Sequence, residues 1–105
     1  MGEKNVPFSV QIMPTALAEL KAIAPFHRRQ IAQAIDEQLT QQPTTASRNR
    51  KLLKDPRPSF EHEPPLWELR VGTVRVFYDV DEAAQLVYVR AVREKPPHAT
   101  TEEIL

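Results

Sequence analysis

One glycine constrains this chain more than any other residue. Gly72, followed by Thr73, separates two runs, Leu66 to Val71 (LWELRV) and Val74 to Val80 (VRVFYDV), both rich in β-branched and aromatic residues. Such residues suit a pleated, half-buried surface, and the runs are predicted to be strands. A two-residue connection with glycine leading suits the first position of a type II′ turn, whose twist matches that of the strands it joins. So tight a turn fixes the register: Val71 faces Val74, Arg70 faces Arg75, Leu69 faces Val76, Glu68 faces Phe77 and Trp67 faces Tyr78. Because side chains alternate between faces, Trp67, Leu69, Val71, Val74, Val76 and Tyr78 share one apolar face that needs covering. The other face is polar and aromatic.

A third strand is predicted from Gln85 to about Val92, after the turn Asp81-Glu82-Ala83-Ala84. A four-residue loop here pairs Val80 with Gln85, Tyr78 with Val87, Val76 with Val89 and Val74 with Ala91. The opposite face then aligns Arg70, Arg75 and Arg90 across three strands beside a Phe77–Tyr88 pair. Like charges facing each other on neighbouring strands cost up to about 1 kcal/mol, so three arginines in a row ask for a counter-charge. Arginine grips phosphate with a planar fork of donors and stays charged at physiological pH, and flanking aromatics suit stacking on single-stranded bases. The row therefore reads as a phosphate-binding face for RNA. The alternative is that the arginines pair with Glu68, Asp79, Glu94 or the acidic tail, or meet an acidic partner segment.

Upstream, Phe8, Val10 and Ile12 alternate with Ser9 and Gln11, so Val6 to Ile12 is predicted as a strand. Pro14 fits a first helical turn, and Ala16, Leu17, Leu20, Ile23 and Ala24 form a stripe that predicts a helix over 14–24. Pro25 ends that helix and opens a second, whose apolar face is Phe26, Ile31, Ala34, Ile35 and Leu39 and which runs to about Gln42, before Pro43. The pair forms a helical hairpin, the natural cover for the apolar sheet face. Residues 43–65 carry Pro43, Pro56, Pro58, Pro64 and Pro65 and no periodicity, which predicts a long loop. This loop holds Arg48, Arg50, Lys51, Lys54 and Arg57 against Asp55, and loops of such length in compact domains tend to be functional. Lys51 and Lys54 are candidate phosphate contacts. Pro96-Pro97 ends the sheet, and Thr100 to Leu105 is short for a helix.

With 105 residues the chain is expected to form one domain over 1–105. It has no cysteine, which excludes disulfides, thiolate zinc sites and a thiol nucleophile. No spacing of histidines and carboxylates suggests a metal site, so neither metal nor cofactor is expected. Met1 to Asn5 is polar and no stretch has the length of a signal core or a membrane span, so a cytoplasmic protein with no membrane partner is expected. Fourteen basic and fourteen acidic residues cancel, so any anion-binding surface has to come from segregation of charge. His98, after Lys95 and the proline pair, is a candidate general acid or base, because its unperturbed pKa is near 6.5. His62 lies between Glu61 and Glu63 in the loop, and Trp67 reads as core.

The segment LWELRVGTVRVFY at Leu66 to Tyr78, preceded by RKLLKDP and followed by LVYVRAV and REK, resembles the RelE/ParE toxin superfamily. The shared pattern is a basic K-L segment, a strand with L-R, a G-x-x-R hairpin and V-x-Y, after two helices. The resemblance implies an α+β, RelE-like fold of order β-α-α-β-β-β, in which a helical hairpin packs a small antiparallel sheet of three or four strands and Val6 to Ile12 adds a strand beside the others. It implies the toxin of a type II toxin-antitoxin pair, with a cognate antitoxin as partner. RelE-like members cleave messenger RNA on the ribosome without metal, using the ribose 2′-hydroxyl; ParE-like members inhibit DNA gyrase without catalysis; a degenerate antitoxin-binding module is a third form. Carried over by position, Arg75 matches the arginine that contacts the scissile phosphate, Arg70 the basic residue before the turn, Lys95 or Arg93 a second catalytic basic residue near the end of the last strand, and His98 the acid or base. Lys51, Lys54, Arg90 and Arg93 are the expected RNA contacts.

Overall fold

The computed structural model describes residues 6–105, and the polar stretch Met1 to Asn5 lies outside them. A strand β1 (Ser9–Ile12) leads into helix α1 (Pro14–Lys21) and helix α2 (Pro25–Ala34), which continues as a wider π-type stretch over Ile35–Leu39. Strands β2 (Arg50–Leu52), β3 (Trp67–Val71), β4 (Val74–Asp81) and β5 (Leu86–Glu94) follow, and a short helix α3 (Thr101–Ile104) closes the chain. Both long helices begin with proline, whose missing N–H is not needed in a first turn. Helix α1 stops at Lys21, short of the predicted Ala24, because the residue before a proline is pushed out of the helical region; Ala24 is extended, with φ −54° and ψ 142°. The freed carbonyls of Lys21 and Ile23 accept hydrogen bonds from Arg28.

The sheet has five strands in the order β1-β5-β4-β3-β2. The β3–β4 register is the one expected, from Trp67 opposite Tyr78 to Val71 opposite Val74. Gly72 takes φ +60° and Thr73 does not share the left-handed region, as a type II′ turn requires. Three other expectations are corrected. The sheet is mixed rather than antiparallel throughout, since β1 runs parallel to β5. The segment 43–65 is not wholly irregular: β2 pairs antiparallel with β3, Lys51 opposite Glu68. Its backbone is tied at one end by Ser47, whose N–H donates to Arg50 O and whose Oγ accepts from Arg50 N.

The β4–β5 register is the third. Gln85 has φ +54° and belongs to the turn, so Val80 faces Val87, not Gln85. A bulge between Phe77 and Tyr78 then leaves Arg90 as the extra residue, with Tyr78 facing Val89 and Phe77 facing Ala91. A bulge reverses the alternation beyond it. Arg93 therefore stands opposite Arg75, and the predicted row of Arg70, Arg75 and Arg90 and the Phe77–Tyr88 pair do not form.

The two sheet faces are closed differently. Helices α1 and α2 cover one with Ala16, Leu20, Ile31, Ile35 and Leu39, packed on Trp67, Leu69, Val74, Val76, Tyr78, Val87, Val89 and Val92. On the other face a smaller cluster of Leu66, Phe77, Ala91 and Leu105 is closed by Leu53, Phe60 and Ile104 from the long connection and the C-terminal segment. Phe77 is fully buried there, so it is not a platform for stacking bases.

Candidate functional site

The polar face narrows toward the Gly72 turn into a cluster of cations. Arg70 and Arg75 face each other across β3 and β4, and Arg93 continues the row on β5. Arg70 is exposed, whereas Arg75 keeps only 8% of its surface. Both hydrogen bonds of Arg75 use Nη1, which donates to Gly72 O at 2.8 Å and to Val74 O at 3.1 Å. Its nearest acid is Glu68, with 3.8 Å between Nε and Oε2, which is an ion pair without a hydrogen bond. Burial, and then the charge of Arg70, push the Arg75 guanidinium below its ordinary pKa while Glu68 opposes them. Arginine nevertheless stays charged at physiological pH, so the site is a cation short of counter-charge. Beside it, Arg48, Asn49, Lys51, Glu68 and Arg70 line a groove of about 400 Å³ along β2. A second groove of about 370 Å³ continues past Lys51 to Lys54, Thr100 and Thr101.

The other sequence candidates divide. Lys51 and Lys54 are exposed on those grooves, and Lys95 is half-exposed beside the turn, its N–H donating to Thr73 O at 2.7 Å. His98 is exposed in a turn closed by Ala99 N to Pro96 O; no hydrogen bond or ion pair among the described residues ties it to the arginines. Arg90 is re-aimed by the bulge into a two-point pair with Asp79 at 2.7 and 3.1 Å, and it lies over the Tyr88 ring. Arg93 donates to Glu19 at 2.9 Å, to Ser59 Oγ, and to the carbonyls of Ile104 and Leu105, and it lies over the Phe60 ring. The alternative in which the row pairs with acids is therefore realised in full for Arg90 with Asp79 and only at 3.8 Å, without a hydrogen bond, for Arg75 with Glu68. Among the described residues no group of histidines and acids could hold a metal ion, and no helix is long and apolar enough to cross a membrane.

Several residues that shape the site escaped the sequence reading. Glu19 on α1 accepts Val92 N at 2.8 Å as well as Arg93; nothing in the sequence links positions so far apart. Thr101 Oγ1 donates to Glu68 Oε2 at 2.9 Å. Its helix did carry a signal: Thr100 and Glu103 form a reciprocal capping box, a spacing readable from sequence. Arg50, counted with the basic loop, is buried and donates to Thr45 O, Gln38 Oε1 and Gln42 Oε1. At the far end of the polar face, Glu63, Asp79, Asp81, Glu82, Tyr88 and Arg90 line a cleft of about 650 Å³.

A protein family described as the ParE toxin of the type II toxin-antitoxin system, parDE, matches residues 10–95. Among solved structures, the toxin-antitoxin complex RelBE2 from Mycobacterium tuberculosis is similar with a TM-score of 0.69 at 23% identity, over 90% of this chain and 98% of that one. The archaeal RelE-RelB complex from Pyrococcus horikoshii is similar with a TM-score of 0.66 at 18% identity, over 86% of this chain and 97% of that one. No protein of curated function matches the chain.

Proposed function

The chain belongs to the ParE toxin family of type II toxin-antitoxin systems, and from the geometry of its arginine cluster we propose that it is a metal-independent, ribosome-dependent endoribonuclease that stops translation by cutting messenger RNA. The observation that carries this reading is the Arg70–Arg75 pair. Two arginines stand opposite each other on adjacent strands, and the nearest carboxylate is 3.8 Å from the Arg75 guanidinium. Like charges in that position are destabilising, and an RNA phosphate would relieve them. The Nη1 bonds to Gly72 and Val74 hold the Arg75 plane still while Nε and Nη2 remain for a two-point grip. In the reaction the ribose 2′-hydroxyl loses its proton and attacks the adjacent phosphorus, and the 5′-oxygen leaves with a proton. Arg75, with Arg70 and Lys95, stabilises the charge that develops on the phosphorane oxygens, the kind of effect that usually carries most of the rate. His98 exchanges the proton. Lys51, Lys54 and Arg48 guide the flanking strand through the two grooves, and Arg93 and Arg90 act from behind by holding the sheet face together. A cognate antitoxin is the protein partner, a reading supported by the toxin-antitoxin and RelE-RelB complexes that share the fold.

The second reading is a gyrase inhibitor that works by binding alone. It is favoured by the ParE family match over residues 10–95, by the internal use of Arg90 and Arg93 and by the burial of Phe77, which leave few groups of the polar face for chemistry.

The test is to induce the protein alone in a bacterium beside Arg75→Ala and Arg75→Lys and to follow growth and methionine incorporation. The nuclease reading expects rapid loss of incorporation that both variants lack while urea denaturation shows them folded. Arrested growth with incorporation intact and a DNA-damage response supports the gyrase reading, and retained toxicity of folded Arg75→Ala overturns the role of Arg75.

A further inference from the structure

Glu68 is buried, with 4% of its surface exposed, yet it does not close onto the one buried arginine beside it. Its Oε2 accepts from Thr101 Oγ1 at 2.9 Å, and the same oxygen stands 3.8 Å from Arg75 Nε. Thr101 is the first residue of α3, whose position is set by the capping box of Thr100 and Glu103 and by Leu105, which packs in the smaller cluster and whose carbonyl accepts from Ser59 and Arg93. The other charges on this part of the face are Lys51, directly across the strand pair from Glu68, and Arg48 and Arg70 in the adjoining groove.

We propose that Thr101 is a positioning residue for Arg75: its hydroxyl holds the Glu68 carboxylate away from the guanidinium and so keeps the Nε–Nη2 edge open for phosphate. This rests on the reading of Arg75 as the phosphate-binding group. A buried carboxylate left without its hydrogen bond carries a large desolvation penalty and takes the nearest donor. Without the hydroxyl, that donor is Arg75, because a carboxylate and a guanidinium match as two parallel hydrogen bonds. The carboxylate then occupies the edge that the RNA needs. Docked α3 and a receptive Arg75 are thus one state of the molecule. Thr101 touches no substrate in this account and acts only through Glu68.

The experiment compares the full chain with Thr101→Val, Thr101→Ser and the double variant Glu68→Gln/Thr101→Val. The side-chain Nε–Hε resonance of Arg75, assigned by its loss in Arg75→Lys, is recorded by NMR, and binding of a short single-stranded RNA oligonucleotide is titrated. Thr101→Val is expected to move the Arg75 resonance as Nε becomes hydrogen-bonded and to weaken RNA binding about tenfold, the equivalent of one good charged pair. Thr101→Ser keeps the hydroxyl and is expected to match the parent. The double variant removes the competing charge and is expected to recover the RNA affinity. An Arg75 resonance identical in the parent and in Thr101→Val overturns the proposal, as does an affinity lost in Thr101→Val and not recovered in the double variant, which would mark Thr101 as a purely structural anchor of α3. If the parent binds no free oligonucleotide, as a ribosome-dependent enzyme allows, the Arg75 resonance alone decides whether Thr101 controls the Glu68–Arg75 contact, and the phosphate-binding reading stands or falls on the toxicity of Arg75→Ala.

Discussion

The two faces of the sheet are closed by opposite means. Under α1 and α2 the packing is apolar, Ile31, Leu39, Val76 and Val89 meeting in one cluster, with a single buried charge, Arg50, at its edge bonded to Gln38 and Gln42. On the loop-covered face the apolar cluster is smaller, Phe77 with Leu66, Ala91 and Leu105, and ion pairs surround it: Asp79 with Arg90 and Glu68 with Arg75, largely buried, and Glu19 with Arg93, part-buried. A face closed by shape fails through voids, whereas a face closed by charge fails through partners left alone. The second kind of closure also places cations where a ligand can compete for them, which is why the candidate site lies there.

The comparison can be tested by removing one element of each kind. The largest effect is expected for Asp79→Ala, which leaves the Arg90 guanidinium, 13% exposed, without its counter-ion and the Glu63 N–H without an acceptor. Loss of one partner of a buried pair costs about 3–5 kcal/mol, measured by urea denaturation. Replacing the pair together, as Asp79→Leu/Arg90→Met, should recover most of that loss; a double variant as unstable as the single one would mean that shape, not charge, closes this face too. Next comes Leu39→Ala under the helices, about 3 kcal/mol for a buried leucine in a tight core, with no dependence on salt.

Tyr78 reports on the apolar face by its one polar atom. Its hydroxyl donates to Pro43 O at 2.6 Å, and burial raises the phenol well above its ordinary pKa of 10.0, with Arg50 opposing. Tyr78→Phe leaves that carbonyl unpaired, at about 1–2 kcal/mol. The pKa is raised in the folded state, so the stability it represents is complete below about pH 10 and is lost as the pH climbs from there toward the folded value. Alkaline titration of the parent should show this loss, and Tyr78→Phe should flatten it. The smallest effect is expected for Glu19→Gln, which keeps a side-chain oxygen for Val92 N and removes the charge facing Arg93. Its pair with Arg93 is about a quarter exposed and contributes on the order of 1 kcal/mol, and raising the salt concentration should shrink the difference between variant and parent. A loss several times larger would make α1, not the C-terminal segment, the anchor of the polar face.

Local chemistry made some of this legible from sequence. The β3–β4 register followed from Gly72 because a two-residue turn leaves no freedom, and the prolines at positions 14 and 25 marked both helix starts. The β4–β5 register did not follow, since Gln85 adopts a left-handed conformation that glutamine does not advertise and Arg90 sits in a bulge that alternation cannot foresee. The longer turn moved the register by two residues and the bulge by one more, which together exchanged Arg90 for Arg93 in the row facing Arg75. The basic end of the site, with Arg70, Arg75, Lys51 and Lys95, was legible because residue types at a hairpin turn stay near it. The counter-charges were not: Glu19 reaches Arg93 across 74 positions, and Thr101 reaches Glu68 across 33.

Strand β2 is the outermost strand on its side of the sheet, the position where a bare backbone invites a neighbouring chain to add itself. Ser47 forestalls this by taking both backbone groups of Arg50 for itself. Lys51 beside it adds a charge that an incoming strand would have to approach. Beside the exposed Leu52, this turn leaves an incoming strand no free backbone pair at Arg50 to dock on.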